Sequence, residues 1–349
     1  MQNYQSKLIL PGQVDEYRGK GYNVVDFHLH SSASYDVFNK KSLYPRVLRE
    51  RMLKQGWDYV TFTDHDTIDA YDGLDLEGVI KGVEVTIKPR IFPGYEHPHT
   101  MHVNVYALSD EQFAEIDAIA KQGDFFGLID YLKNEELPYQ LNHPFISGYY
   151  EEPEWHHMPE IVQYFDVLEI TNTRRSRLHN ESAGRLADAF GLGWTEGSDN
   201  HIGLPVKGTL VRGADFGEMW DRIKAGDVLT VPEHMDYRTM KQTVQAYASI
   251  VFNMTPEELE NFSFRFKSED SKTDRFIDYV MTERAAGSRL FNGVPGKIVE
   301  NVLSNLGPLF TYMTYVRKQN RIGKEILEMV DGVVGEVADS VGLDFRREV

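Results

Sequence analysis

Between about residues 22 and 232, short β-branched or aromatic runs alternate with helical patterns, which narrows the chain to an α/β domain with largely parallel strands. The strand candidates are NVVDFHLH at 23–30, DYVTFTDH at 58–65, GVIKGVEVTI at 78–87, MHVNVYAL at 101–108, PYQLNHP at 138–144, DVLEITNT at 166–173 and GWTEGSD at 193–199. KGTLVRG at 207–213 is a possible additional edge. Helical patterns fall between several of them, at 43–56, 109–122 and 180–191. Ionisable residues recur at the C-terminal ends of these strands, where parallel α/β barrels assemble their active sites.

The 349 residues suffice for one catalytic domain and an appendage. After Pro232 the texture changes: VQAYASIVFNMTPEELENF and the stretch from about Ile298 to Val341 read as helices, with NGVPG at 292–296 as punctuation. The expected division is a barrel over 1–233 and a mainly helical region over 234–349. Eleven of the twelve histidines precede residue 234, so metal chemistry belongs to the first part.

Cysteine is absent, which removes disulfides, thiolate ligands and a cysteine nucleophile together and leaves nitrogen and oxygen as metal ligands. The net charge of −17 repels a phosphate backbone and argues against nucleic acid as a partner, while small anions remain admissible near cations bound by carboxylates. The opening residues lack the charged start and long apolar core of a signal peptide, and no apolar run reaches a membrane-spanning length. These features lead us to expect a cytoplasmic protein without a membrane partner.

His28 and His30 are one residue apart at a strand end, so the pleat aims both imidazoles at one face; a surface pair is the plainer alternative. TFTDHDT runs an apolar-alternating strand into Asp64, His65 and Asp66, a cluster that needs partners or a metal if buried. The alternative is a solvated turn in which Asp66 or Thr67 caps a following helix. Glu84 interrupts an otherwise apolar strand and raises the same question, with edge exposure as its rival reading. His143 ends another strand, and Pro144 biases it toward an extended backbone. Asp199 and His201 close the set after the seventh strand.

In the order HLHSSASYD, TFTDHD, GVEVT, NHP and GSDNH, these motifs resemble the PHP (polymerase and histidinol phosphatase) superfamily over about residues 22–232. The resemblance implies a distorted seven-stranded β/α barrel with two or three divalent ions at its C-terminal rim. By that resemblance His28, His30, Glu84 and Asp199 hold one ion, and Glu84 bridges to a second held by His143 and a further histidine. Asp36, His65 and His201 hold the third. EHPHTMHVNVYAL offers His97, His99 and His102 for the open position; the resemblance favours His102, at the head of the next strand, where the family's ligand falls. Zinc, manganese and iron all suit such donors. Adjacent ions activate a bridging hydroxide, clamp phosphoryl oxygens and stabilise the departing oxygen, so no serine or cysteine nucleophile is required.

The segment TNTRRSRLHN offers Arg174, Arg175, Arg177 and His179 as substrate-binding groups, an arginine there being suited to bidentate phosphate recognition. A solvated basic loop is the alternative. Lys88 and Arg90 are lesser candidates. His156 and His157 read as surface residues, His234 has no strand-end context, and Phe125 and Phe126 read as core. The leading functional expectation is metal-dependent hydrolysis of a phosphate ester in a small phosphorylated metabolite, such as a nucleotide or sugar phosphate. A nuclease acting on single strands and a non-catalytic, metal-stabilised partner-binding module are the rival readings. Nothing in the sequence assigns an oligomeric state or a role to the C-terminal region.

Overall fold

The structure, a computed structural model, describes residues 3–89, 100–145, 157–255 and 293–341. Among these residues nine strands form one sheet: β1 (Asn23–Asp26), β2 (Tyr59–Phe62), β3 (Val79–Ile87), β4 (Met101–Tyr106), β5 (Tyr139–Leu141), β6 (Val167–Asn172), β7 (Gly193–Gly197), β8 (Thr209–Val211) and β9 (Val228–Thr230). Their spatial order is β7-β6-β5-β4-β3-β2-β1-β8-β9. The α-helices are α1 (Val14–Arg18), α2 (Pro45–Gln55), α3 (Asp110–Lys121), α4 (Phe125–Asn134), α5 (Met158–Ile161), α6 (Arg177–Phe190), α7 (Phe216–Lys224), α8 (Tyr237–Phe252) and α9 (Gly293–Val341).

The sheet is nearly closed and barrel-like. Beyond β1 the chain stays extended: Leu29 bridges Asn200, Asp199 N donates to His28 O at 2.7 Å and His30 N donates to Asn200 O at 3.2 Å. The start of β1 is also joined to β8, and the Thr209 hydroxyl accepts from Glu196 N on β7 at 2.8 Å. The ends of the sheet therefore meet around β1 and β8.

Three features depart from the sequence expectation. The sheet has nine strands rather than seven, because 207–213 contributes β8 and a further strand, β9, pairs with it. The pairing is mixed: β4 runs antiparallel to β3 and β5, and β8 runs antiparallel to β1 and β9. The strands also end earlier than expected, so that His28, His30 and His65 lie on the extended segments beyond β1 and β2.

Alternation along β3 divides two environments: Val83 and Val85 enter the apolar core, while Glu84 between them is fully buried on the opposite, polar face. Helices end where local chemistry requires. Ser109 caps α3 reciprocally with Gln112, and Gly56 takes a φ of 98° after α2, a conformation that carries no steric penalty for glycine. α6 starts earlier than expected, because the Ser176 side chain caps it, which draws Arg177 and His179 into its first turn. No α-helix follows TFTDHDT; a short 3-10 turn at Asp69–Tyr71 takes its place, and Asp66 instead accepts from Thr86 N at 2.7 Å.

The C-terminal helices are packed against the barrel. Ile322, Ile326 and Val330 form an i, i+4, i+8 stripe on α9 that joins the main core, each burial contributing about 1.5–3 kcal/mol. Gly323 permits this approach to α6, since a Cβ there would stand 2.7 Å from that of Leu178. α9 starts at Gly293, so the glycine and proline expected to punctuate 292–296 lie largely in its first turn, and Pro308 lies within it. Among the described residues no helix is long and apolar enough to cross a membrane.

Candidate metal centre

One end of the barrel gathers all nine proposed ligands. Glu84 is their meeting point. Its Oε2 lies 3.0 Å from His28 Nε2, 3.1 Å from His30 Nε2 and 3.4 Å from His65 Nδ1. Its Oε1 lies 3.0 Å from His102 Nδ1 and 3.3 Å from His143 Nε2. Asp199 Oδ1 stands 3.5 Å from His30 Nε2 and 3.6 Å from His201 Nδ1, and Asp36 Oδ2 stands 2.7 Å from His201 Nε2 and 3.5 Å from His65 Nε2.

The donors form overlapping groups whose ligand atoms lie within 4.8 Å of one another: His28, His30 and Asp199; His65, Glu84 and His102; His30, Asp36, His65 and His201; and His28, His143 and Glu169. Thus the structure adds His30 to the Asp36, His65 and His201 group, and it sets His65 beside His102 where the resemblance implies His143. His102 occupies β4 opposite Thr86 of β3, in a strand whose reversal returns it to the rim reached by the other ligands. His97 and His99, with Arg90 and His156, lie outside the described residues.

This donor set fits a metal. His28 Nε2 and His30 Nε2 face each other at 3.2 Å beside one carboxylate oxygen, and among the described residues the buried Nδ1 atoms of His30 and His143 have no hydrogen-bond partner. Each neutral imidazole carries a single N–H, so several rings converging on one carboxylate leave lone pairs aimed at a common point, which a cation satisfies. Electrostatics point the same way. Burial holds His65 at about 3 and His143 at about 4, in the neutral form that ligates metals. Burial opposes the ionised form of Glu84, yet the surrounding histidines, His28 foremost, keep its carboxyl well below the usual range. Against the same penalty, Asp199 and Glu84 raise His30 to about 9.

Two candidate ligand positions hold unusual backbone. His143 has a φ of 25° and Asp199 a φ of 47°. The extended conformation expected of His143 before Pro144 is therefore not adopted. His143 N donates to Glu169 Oε2 at 2.8 Å and Asp199 N donates to His28 O, bonds that help retain these turns.

Glu169 is the residue that sequence reasoning missed. Its Oε1 accepts from His28 Nδ1 at 2.9 Å, while Oε2 accepts from His143 N at 2.8 Å and Asn172 Nδ2 at 3.0 Å. It orients two candidate ligands through nitrogens on the far side of their contacts with Glu84. The signal was available in DVLEITNT, an acid inside an apolar strand like Glu84. Asp64 proves to be a support as well: both its oxygens accept from Ser31, N and Oγ, at 2.6 Å.

The four proposed substrate residues separate. Arg174 and Arg175 enter the site, their guanidinium groups each 3.5 Å from Asp199, and Arg174 Nη1 also lies 2.7 Å from His201 Nδ1. Arg177 is exposed at the start of α6. His179 is buried, bonded to Ser176 Oγ at 2.5 Å and close to Gly323 of α9, so α6 has carried it into the helix interface. Lys88 is exposed, His157 and His234 are half-buried, and Phe125 is core as expected. Phe126 is not: it is 47% exposed, against Tyr164.

Fold and site together describe an α/β chain whose nearly closed sheet carries a buried cluster of histidines and carboxylates that could hold metal. No protein-family model matches the chain, and no curated protein matches it. Parts of it are similar to solved structures. One, described provisionally as a metal-dependent phosphoesterase from Bifidobacterium adolescentis, is 16% identical with a TM-score of 0.38, covering 51% of this chain and 88% of that one. An amidohydrolase from Chromobacterium violaceum is 14% identical with a TM-score of 0.37, covering 51% and 87%. PsfC from Pseudomonas syringae is 14% identical with a TM-score of 0.46, covering 66% and 98%.

Proposed function

We propose that this chain is a PHP-type metal-dependent phosphoesterase that hydrolyses a phosphate ester of a small phosphorylated molecule. The observation that carries the reading is the convergence of five histidines on Glu84, with Asp36, Asp199 and His201 adjoining and Arg174 beside them. Two or three divalent ions, zinc, manganese or iron, suit these donors. Bound there, they supply Lewis acidity and a lowered pKa for coordinated water.

The chain's own residues account for the rest. Glu84 and Asp199 place negative charge between neighbouring ligand groups, which matches a site for more than one cation. Glu169 holds the Nδ1 proton of His28, leaving its Nε2 lone pair for ligation. Arg174, with 40% of its side chain exposed, presents a guanidinium to an incoming phosphoryl group, while Arg175 is the more enclosed of the pair. The −17 charge favours a small substrate over a polyanion.

The test is a phosphorylated-metabolite panel with manganese- and zinc-loaded protein compared, run beside single-stranded oligonucleotides. Hydrolysis of small monoesters, with more than one metal equivalent per chain, is the expected result. Metal content below one ion per chain under replete conditions, or turnover of oligonucleotides alone, overturns it. Full loading without hydrolysis in either panel leaves the partner-binding module.

A further inference from the structure

Helix α8 belongs to the C-terminal region, yet it is tied at both ends to loops that serve the metal centre. Just before it, Met235 N donates to Arg175 O at 2.8 Å. Just after it, Asn253 O accepts from Lys40 Nζ at 3.2 Å. The helix therefore spans from the arginine loop to the segment that carries Asp36, a reach of about 24 Å at 1.5 Å per residue.

The underside of that span is packed. Val251 and Met254 form a small core with Val37, Phe38 and Leu43, and the Tyr247 ring meets Phe38 edge-on at a centroid separation of 5.9 Å. From behind, α9 supports α8 through Gln245 Nε2 to Ser304 O at 3.3 Å and the Tyr237–Tyr312 ring contact at 5.5 Å. Tyr247 is thus held by its ring against Phe38, two residues along from Asp36. Burial raises the pKa of the Tyr247 hydroxyl, and the charges acting on it are Arg174, Asp36 and Asp199.

We propose that Tyr247 is a substrate-contacting residue, its hydroxyl donating to a phosphoryl oxygen that the Arg174 guanidinium also binds, so that α8 forms a wall of the active site. This rests on the phosphoesterase reading. The chemistry is complementary: a neutral hydroxyl donor and a cation approach the same anion from α8 and from the loop after β6, across from the proposed ligand Asp36. The C-terminal region then has a role in binding as well as in packing.

Tyr247→Phe retains the ring against Phe38 and removes only the hydroxyl. Wild type and variant, both reconstituted with manganese, are compared by steady-state hydrolysis of p-nitrophenyl phosphate, metal content and thermal unfolding. The expected result is equal metal content, an unchanged unfolding temperature and a KM raised about tenfold with kcat within about twofold, the size of one hydrogen bond to a charged group. A purely structural role would move the unfolding temperature and leave KM alone. Identical KM in an active wild type overturns the proposal and spares the phosphoesterase reading. If the loaded wild type hydrolyses nothing, that reading fails, and titration with inorganic phosphate decides the residue's role. Binding weakened about tenfold in the variant supports Tyr247 as an anion contact, whereas equal binding, or none by the wild type, refutes it.

Discussion

Glu169→Gln removes one charge while preserving shape, and its consequence can be worked through the three bonds that Glu169 accepts. Oε2 serves two donors, His143 N at 2.8 Å and Asn172 Nδ2 at 3.0 Å, and Oε1 serves His28 Nδ1 at 2.9 Å. A glutamine has one acceptor oxygen. If that oxygen faces His143 and Asn172, its NH2 faces His28 Nδ1 and drives the imidazole to the tautomer with the proton on Nε2. That nitrogen, 3.0 Å from Glu84, is then no longer a ligand. If the amide flips, two buried donors lose their acceptor at about 1–3 kcal/mol each. The first orientation is cheaper for the fold and more damaging to metal binding. The expected effect is a metal affinity about 10–100-fold weaker, or about 1.4–2.7 kcal/mol. Competitive titration against a chromogenic chelator measures it, with thermal unfolding of the metal-free protein as the control for folding. Affinity within twofold of wild type in a normally folded variant would refute the assignment of Glu169 as the residue that orients His28.

Gly197→Ala would put a methyl carbon 2.2 Å from His28 Cβ and 2.3 Å from Glu169 Oε1; we expect a loss of about 1–3 kcal/mol in denaturant unfolding together with reduced metal content. Asp199→Ala is expected to lose both bound metal and hydrolysis, read by elemental analysis and phosphate release, and retention of full metal content would count against its role as a ligand. Chelation should lower the unfolding temperature, with recovery on adding manganese or zinc, because a ligand bound only by the native state stabilises it. His179 gives a pH prediction: burial and Arg175 hold it at about 3 in the native state, against about 6.5 when unfolded. The native state binds fewer protons between those values, so the stability present above pH 6.5 is lost as pH falls toward 3, by up to about 1.4 kcal/mol per unit. Urea midpoints of His179→Asn should fall less steeply with acid than those of wild type, and parallel curves would refute this.

What the sequence revealed of the site was local. Glu84 stood out because an acid between Val83 and Val85 demands a partner, and His28 and His30 because a two-residue period sends them to one face. Glu169 carried the same local signal, but its partners His28 and His143 come from other strands, and only barrel closure brings them together. Helix capping separated the candidate arginines: Ser176 begins α6 directly after Arg175, leaving Arg174 and Arg175 at the rim and turning His179 toward α9. The strand runs marked most of the sheet, yet pairing direction was invisible in them, since an alternating run such as MHVNVYAL reads the same for either orientation. Tyr247 had no legible signal, because its place depends on where both ends of α8 are tied.

The reversal of β4 also bears on how such a site can diversify. Ile87 and Met101 are paired neighbours, so the connection between β3 and β4 begins and ends at one point of the ladder, near the candidate ligands. Glu84 and His102 are locked into the ladder on either side of it. Insertions or deletions in that connection leave both side chains where they are, and each doubling of its length costs only about 0.6 kcal/mol of closure entropy. This joint is a place where evolution or design can change the length of the chain while the two candidate ligands on either side keep their register.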